Sequence, residues 1–147
     1  MNILMVASEA NPFAKSGGLA DVVYALSKEM VKKDNDVSVV MPLYKRIKNK
    51  WADKLFYIGY LYIDISNRHE YLGIYQYIYD KVTYYFIDNE LYFGRENLYG
   101  YSDDILRFAY FQMAVCSMIK YLNLKLDVVH VHDHQAGMIP LLLKESY

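Results

Sequence analysis

Apolar residues follow two different periods along this chain. "NILMVA" (Asn2 to Ala7) is a short, almost unbroken apolar run bounded by turn residues, which predicts a buried strand over 2–7. A loop over 8–17 follows, carrying Pro12 and Gly17. Then Leu19, Val22, Val23, Leu26 and Met30 recur at helical spacing, which predicts a helix over 18–33. Lys28, Lys32 and Lys33 crowd its end, where the helix dipole favours cations. "DVSVVMP" (Asp36 to Pro42) reads as a second strand, stopped by Pro42. Strand, helix and strand within so short a span make a βαβ unit, hence a parallel sheet with a right-handed crossover.

The middle of the chain switches to period two. "LFYIGYLYIDI" (Leu55 to Ile65), "EYLGIYQYIYD" (Glu70 to Asp80) and "VTYYFIDN" (Val82 to Asn89) are rich in aromatic and β-branched residues. The separators "SNRH" and "DK" are turn chemistry, so three strands joined by hairpins are expected. Most of the 17 tyrosines fall here. A half-buried sheet with aromatic cross-strand pairs accounts for them, and a sugar-stacking platform is the functional alternative. Helical spacing returns from Asp103 to about Tyr121, with Ser102 placed as N-cap. That helix is apolar nearly all round and should be buried. "DVVHVHD" (Asp127 to Asp133) is a further strand, and "QAGMIPLLLKES" starts another helix that Pro140 would weaken unless it lies in the first turn.

Composition narrows the class. At 147 residues, 54% hydrophobic and 22% charged, this is one globular domain with a real core. A net charge of -1 leaves no electrostatic footprint for nucleic acid or an anionic membrane. The longest uncharged apolar stretch, "FAYFQMAVCSMI" (Phe108 to Ile119), falls short of the roughly 20 residues that span a bilayer. Residues 1–7 carry no secretory cleavage signal, and the lone Cys116, in an apolar helical run, reads as a small buried residue. A cytoplasmic protein is expected.

The stretch with chemistry in it is "FAKSGGLADVVYALSKEM" (Phe13 to Met30). A strand, a glycine loop and a helix start make an anion site, because the first N–H groups of a helix lack intrahelical partners and sit at the positive end of its dipole. Gly17 and Gly18 allow close approach to the backbone, and Lys15 adds a full charge. Phosphates are the obvious ligands. The pattern is neither the dinucleotide fingerprint nor a P-loop, in which the lysine follows the glycines. A plain glycine turn with a solvated lysine remains the alternative.

"ILMVASEANPFAKSGGLADVVYALSKEM" closely resembles the amino terminus of bacterial glycogen synthases and plant starch synthases. Two later blocks agree in order: "LYFGRENLYGYSDDILRFAYF" (Leu91 to Phe111) and "DVVHVHDHQAGMIPLLLK" (Asp127 to Lys144). The resemblance implies one Rossmann-like half of a two-domain GT-B glycosyltransferase, with helices on both faces of a parallel sheet and the tyrosine-rich antiparallel section added. It implies residues 1–147 as the acceptor-side domain, truncated, with a nucleotide-binding domain still to come. It implies transfer of glucose from ADP-glucose to the non-reducing end of an α-1,4-glucan, glycogen or a malto-oligosaccharide, with retention and without a metal or other cofactor.

Residue by residue, the resemblance makes Lys15 the donor-contacting lysine, with Gly17 and Gly18 beside it. Asp21 also falls at the reaction centre, in the first helical turn, where dipole pairing explains it equally well. A carboxylate would repel a diphosphate, so its expected work is to order the cleft. Tyr99 matches a cleft tyrosine. Asp103, Asp104 and Arg107 match the second block, and capping with an intrahelical ion pair explains them too. His134 stands where the family commonly has tryptophan, and Gln135 where it has a sugar-contacting histidine. Gln135 can still hydrogen-bond a hydroxyl but cannot carry a proton. His130, His132 and His134 alternate, which puts them on one face only if the strand runs on to His134; zinc is the weaker reading. Two other functions stay open, a glucan-binding or regulatory module without catalysis and a GT-B transferase for another nucleotide sugar.

Overall fold

The computed structural model describes residues 1–146. Six strands form one sheet, in the order Phe56–Ile65 (β3), Arg68–Tyr79 (β4), Val82–Asp88 (β5), Asp36–Pro42 (β2), Asn2–Val6 (β1) and Val128–Val131 (β6). Its parallel part is β1 (Asn2–Val6), β2 (Asp36–Pro42), β5 (Val82–Asp88) and β6 (Val128–Val131). The predicted strands at 2–7 and 127–133 are neighbours, with Leu4 opposite Val129. Pro42 is the last residue of β2. Central strands are buried on both faces, so β1 and β2 are apolar without alternation, as parallel sheets require.

The tyrosine-rich section is a meander. β3 (Phe56–Ile65) pairs with β4 (Arg68–Tyr79), and β4 with β5, both antiparallel. Arg68 and His69 belong to β4, so the first hairpin turns on two residues rather than on all of "SNRH". The second turns on Asp80 and Lys81, both at positive φ (50° and 64°), the twist-matched hairpin geometry. Because β5 also lies beside β2, the meander joins the parallel sheet through that strand.

α1 (Gly18–Lys32) links β1 to β2, and α4 (Asp104–Tyr121) links β5 to β6. These crossovers run in opposite directions along the sheet, so right-handedness puts the two helices on opposite faces. α2 (Lys45–Trp51), a 3-10 turn at Ala52–Lys54 and α3 (Glu90–Phe93) are elements the periodicity did not announce. α5 (Ile139–Glu145) packs on α4, and Pro140 lies in its first turn, where its missing N–H costs no bond.

Two local expectations change. Ser102 does not cap α4; Asp103 is the N-cap residue, and its carboxylate is taken by Arg95 at 2.6 and 2.8 Å instead of by helix N–H groups. Asp104 accepts from the Gly100 and Tyr101 N–H groups and from Arg107 at 2.7 Å, so the expected intrahelical pair is present. Nor is α4 buried all round, since Ile105 is 89% exposed. Arg107 is fully buried and also donates to the carbonyls of Tyr92 and Leu98, which ties the 91–103 loop to the helix. Cys116 is buried, and burial pushes its thiol up to about 11. No helix among the described residues is long and apolar enough to cross a membrane.

Candidate active site

Parallel strands end at one edge of a sheet, and ligands bind there where the strand order reverses. Here that point is β1, which reaches β2 on one side through α1 and meets β6 on the other. The loops after β1 and β6, with the 89–103 loop after β5, converge on it.

The loop after β1 curls on its own backbone. The N–H groups of Phe13 and Ala14 both donate to the Ala10 carbonyl at 3.0 Å. Phe13 is the anchor, its ring packed 5.0 Å from Trp51, 4.7 Å from Tyr84 and 5.1 Å from Phe86. Glu9, 3% exposed, accepts the Ser16 N–H at 2.5 Å. With the loop's root buried and tied, Lys15, Ser16, Gly17 and Gly18 are left on the surface.

Lys15 Nζ donates to both Asp21 carboxylate oxygens, at 3.0 and 2.8 Å, and each side chain is about half exposed. Asn11 donates to Asp21 as well. The Lys15 ammonium beside it holds the Asp21 carboxyl below the usual carboxylate range. Gly17 is the N-cap of α1, extended, with no side chain capping the helix. A Cβ added at Gly17 or Gly18 would meet nothing within 4 Å. Neither backbone strain nor packing inside the chain explains these glycines. At these positions no side chain covers the start of α1.

Tyr99, His134 and Gln135 come together in a second part of the site. They line a cleft of about 550 Å³ with Asp104, Phe108, Gln112 and Met138. Tyr99 Oη and Ser8 Oγ are 2.5 Å apart, and burial pushes the Tyr99 phenol up to about 12, so it is protonated at neutral pH. Gln135 is 8% exposed, and its buried Oε1 has no hydrogen-bond partner within the chain. His134 is exposed on the rim. Gln112 accepts the Met138 N–H at 2.6 Å and donates to the Phe108 carbonyl at 3.0 Å, which pins the turn carrying His134 and Gln135 to α4.

The lysine loop and the cleft adjoin through Ser8 and Glu9. Consecutive residues at the end of β1, they bond Tyr99 and the Ser16 N–H respectively. Tyr44 donates to the Ser8 carbonyl at 2.7 Å from beneath. Periodicity could not assign Ser8, Glu9, Tyr44 or Gln112, whose partners are mostly far away in sequence; position just past a parallel strand was the one available signal for the first two.

β6 ends at Val131, so the three alternating histidines do not share a strand face. His130 and His132 stack at 4.4 Å, and His134 lies in the following turn. Among the described residues no group of three or more His, Cys, Asp or Glu is placed to hold a metal ion.

Residues 2–147 match the family model described as the starch synthase catalytic domain. Glycogen synthase of Clostridium botulinum (strain Eklund 17B) is 52% identical over the whole chain, which covers 31% of that relative. Glycogen synthase of Streptococcus agalactiae serotype III is 49% identical with the same coverage. The catalytic domain of starch synthase IV from Arabidopsis thaliana, solved bound to ADP and acarbose, superposes with a TM-score of 0.86 at 26% identity, over 99% of this chain and 30% of that one. The chain thus spans about a third of the length of the relatives it matches.

Proposed function

The chain belongs to the starch synthase catalytic domain family and folds as part of one half of its GT-B architecture, and from that premise we propose that it forms the acceptor-side portion of a glycogen or starch synthase. The reaction is transfer of glucose from ADP-glucose to the non-reducing end of an α-1,4-glucan, with retention at the anomeric carbon. The relative solved with ADP and acarbose, a nucleoside diphosphate and a sugar-like chain, supports both ligand classes.

One observation carries the proposal. Lys15 and the open glycine start of α1 lie at the same strand ends as the Tyr99–Gln135 cleft, joined to it through Ser8 and Glu9. As the bond from glucose to the diphosphate breaks, negative charge grows on the departing phosphate. Preplaced donors facing that charge lower the barrier. Lys15 brings a full positive charge, and the first N–H groups of α1 bring the dipole's positive end. Lys15 has three N–H bonds, of which Asp21 takes two, so the ammonium can be held by the carboxylate and still reach a phosphate oxygen. Asp21 acts by holding Lys15 and does not bind the anion.

In the cleft, Phe108 and Tyr99 offer apolar faces to a sugar ring, and the Gln135 amide offers hydrogen bonds to its hydroxyls. Gln135 cannot shuttle a proton, so the proton leaving the acceptor hydroxyl goes elsewhere, to the departing phosphate or to the facing domain.

The test uses an enzyme in which this chain replaces the matching residues of the Clostridium relative. Lys15→Ala should lower the turnover of labelled glucose from ADP-glucose into glycogen by at least about a hundredfold, the order seen for one preplaced electrostatic contact. Half-saturation by glycogen should stay within about twofold. Unchanged turnover would remove Lys15 from the mechanism.

A further inference from the structure

β3 closes the sheet on one side, so one of its edges faces no other strand among the described residues. An edge strand presents a row of unpaired backbone N–H and C=O groups, which another strand can take up. Natural edges are blunted by shortness, by lysine or proline, or by bulges. β3 has ten residues, no lysine and no proline, and Asp64 is its single charge. Its one blunting device is a bulge near its start, where the register against β4 shifts between Tyr57 and Gly59. Past the bulge, Gly59 to Ile65 pair with β4 without interruption and leave a regular edge.

The two faces of that edge differ. Gly59, Leu61, Ile63 and Ile65 alternate onto the face that carries α4, where a Cβ at Gly59 would lie 2.7 Å from the Tyr121 hydroxyl. The glycine therefore gives the Tyr121 ring its place, and that ring is still 48% exposed. Tyr60, Tyr62 and Asp64 alternate onto the opposite face and are exposed. A groove of about 530 Å³ runs beside the edge, between Leu61 to Asp64 of β3 and Ser117, Lys120 and Tyr121 of α4. The side of β3 that would receive a strand is thus open.

Pattern and charge decide the occupant. A strand laid here must be apolar on one face, aromatic or polar on the other, and nearly uncharged. β3 of a second copy is such a strand. In antiparallel register about Tyr62, a two-fold axis sets Tyr62 against the partner's Tyr62 and Leu61 against the partner's Ile63. Tyr60 then falls opposite the partner's Asp64, a phenol donor across from a carboxylate. Gly59 falls opposite the partner's Ile65, beside the half-exposed Tyr121 ring. Directly opposed aromatic and aliphatic pairs are the stabilising contacts of a sheet, and like charges opposite each other are destabilising. This register keeps the two Asp64 carboxylates apart, whereas one centred on Asp64 would set them face to face.

We propose that the β3 edge is a self-association surface, on which β3 of a second copy pairs antiparallel about Tyr62 and continues the sheet across a two-fold axis. Strand pairing alone is small beside the roughly 1,200–2,000 Å² that stable interfaces bury, so the dimer is reversible. The lysine loop follows β1, four strands away, and the pairing does not depend on the transfer reaction.

Sedimentation velocity, on the chain and on the enzyme that carries it in place of the matching Clostridium residues, tests this. Both should show a concentration-dependent dimer. Tyr62→Lys sets two ammonium groups together at the axis and should raise the dissociation constant at least about tenfold, as should Tyr62→Glu. An equimolar mixture of the two variants should restore the dimer, which a folding defect would not. In Tyr62→Cys the opposed Cα atoms lie about 4.5–5.5 Å apart, within disulfide reach, so mild oxidation should give a covalent dimer. In Tyr60→Cys the thiols stand about 13 Å apart along the strands, and oxidation should give none. The wild type, with Cys116 buried, is the control. A chain that stays monomeric up to about 0.5 mM would overturn the proposal. So would a dimer that Tyr62→Lys leaves intact, a covalent dimer from Tyr60→Cys, or a dimer of the chain that the grafted enzyme lacks, since other residues of the enzyme would then cover the edge.

Discussion

At Gln135 a proposed binding role stands against a cost in stability. Its Oε1 is buried without a protein partner, and a buried unpaired polar atom costs about 1–3 kcal/mol. Gln135→Met removes that cost at similar volume, so thermal unfolding should stay level or rise, while affinity for a malto-oligosaccharide should fall about tenfold, the worth of one well-made polar contact. Calorimetric melting and titration of the same sample read both. Glu9 is the opposite case, a buried carboxylate whose hydrogen bond organises a loop. Glu9→Ala leaves the Ser16 N–H unpaired and frees the turn that presents Lys15. A hydrogen bond to a charged group is worth about 1.5 kcal/mol or more, so turnover in the grafted enzyme should fall about tenfold, with glycogen half-saturation little changed. Equal losses in both constants would mean that Glu9 supports the whole domain. The exposed positions of Lys15, Gly17 and Gly18 were legible in the sequence because a lysine and two glycines between a strand and a helix add nothing to a core; the anion site built on them is a proposal. Glu9 had only its position just past a strand to mark it, and Gln112 had nothing, since its bond to the Met138 N–H is made only by folding.

At the scale of elements, β1, α1, β2, the three tyrosine strands, α4 and β6 all lie where periodicity put them. α2 was missed because "KRIKNKW" has one buried apolar residue, Ile47, among four cations. A two-turn helix with so little apolar repetition carries no period to detect. α3 is shorter still. The misplaced cap of α4 has a similar cause: Ser, Asp and Asp in a row are three competent caps, and the helix starts after Asp103, whose carboxylate pairs with Arg95 instead of capping. β6 is the element most open to pH. It is an edge strand, half covered, and His132 follows it with its Nε2 buried and unpartnered. Burial and the stacked His130 push the His132 imidazole below its ordinary value, against the opposing pull of Asp133. A folded value below the unfolded one means that the neutral ring is favoured in the fold. The stability this contributes is fully present above the unfolded value of about 6.5 and is lost as pH falls through that range towards the lower folded value. The thermal midpoint should therefore drop more between pH 7.5 and 5.5 in the wild-type chain than in His132→Gln. Equal drops would show that β6 is insensitive to this ring.

At the scale of the molecule, the lysine loop and the cleft open towards solvent, and no described residue covers them. A charge contact at 4 Å in water is worth only about 1 kcal/mol, against about 4 kcal/mol at the effective dielectric of a partly covered site. Lys15, half exposed, stands in the first condition in this chain and would stand in the second if the proposed facing domain covers it. Donor binding and catalysis should therefore appear only with that domain present, while the cleft, built from these residues, should keep weak, roughly millimolar glucan binding of about 4 kcal/mol. The most direct measurement is incorporation of labelled glucose from ADP-glucose into glycogen, made on the purified chain alone and on the same chain grafted in place of the matching residues of the Clostridium botulinum relative. The two-wall mechanism predicts no measurable transfer by the chain alone and robust transfer by the graft. Clear turnover by the chain alone, or a well-folded graft that transfers no glucose, would contradict it.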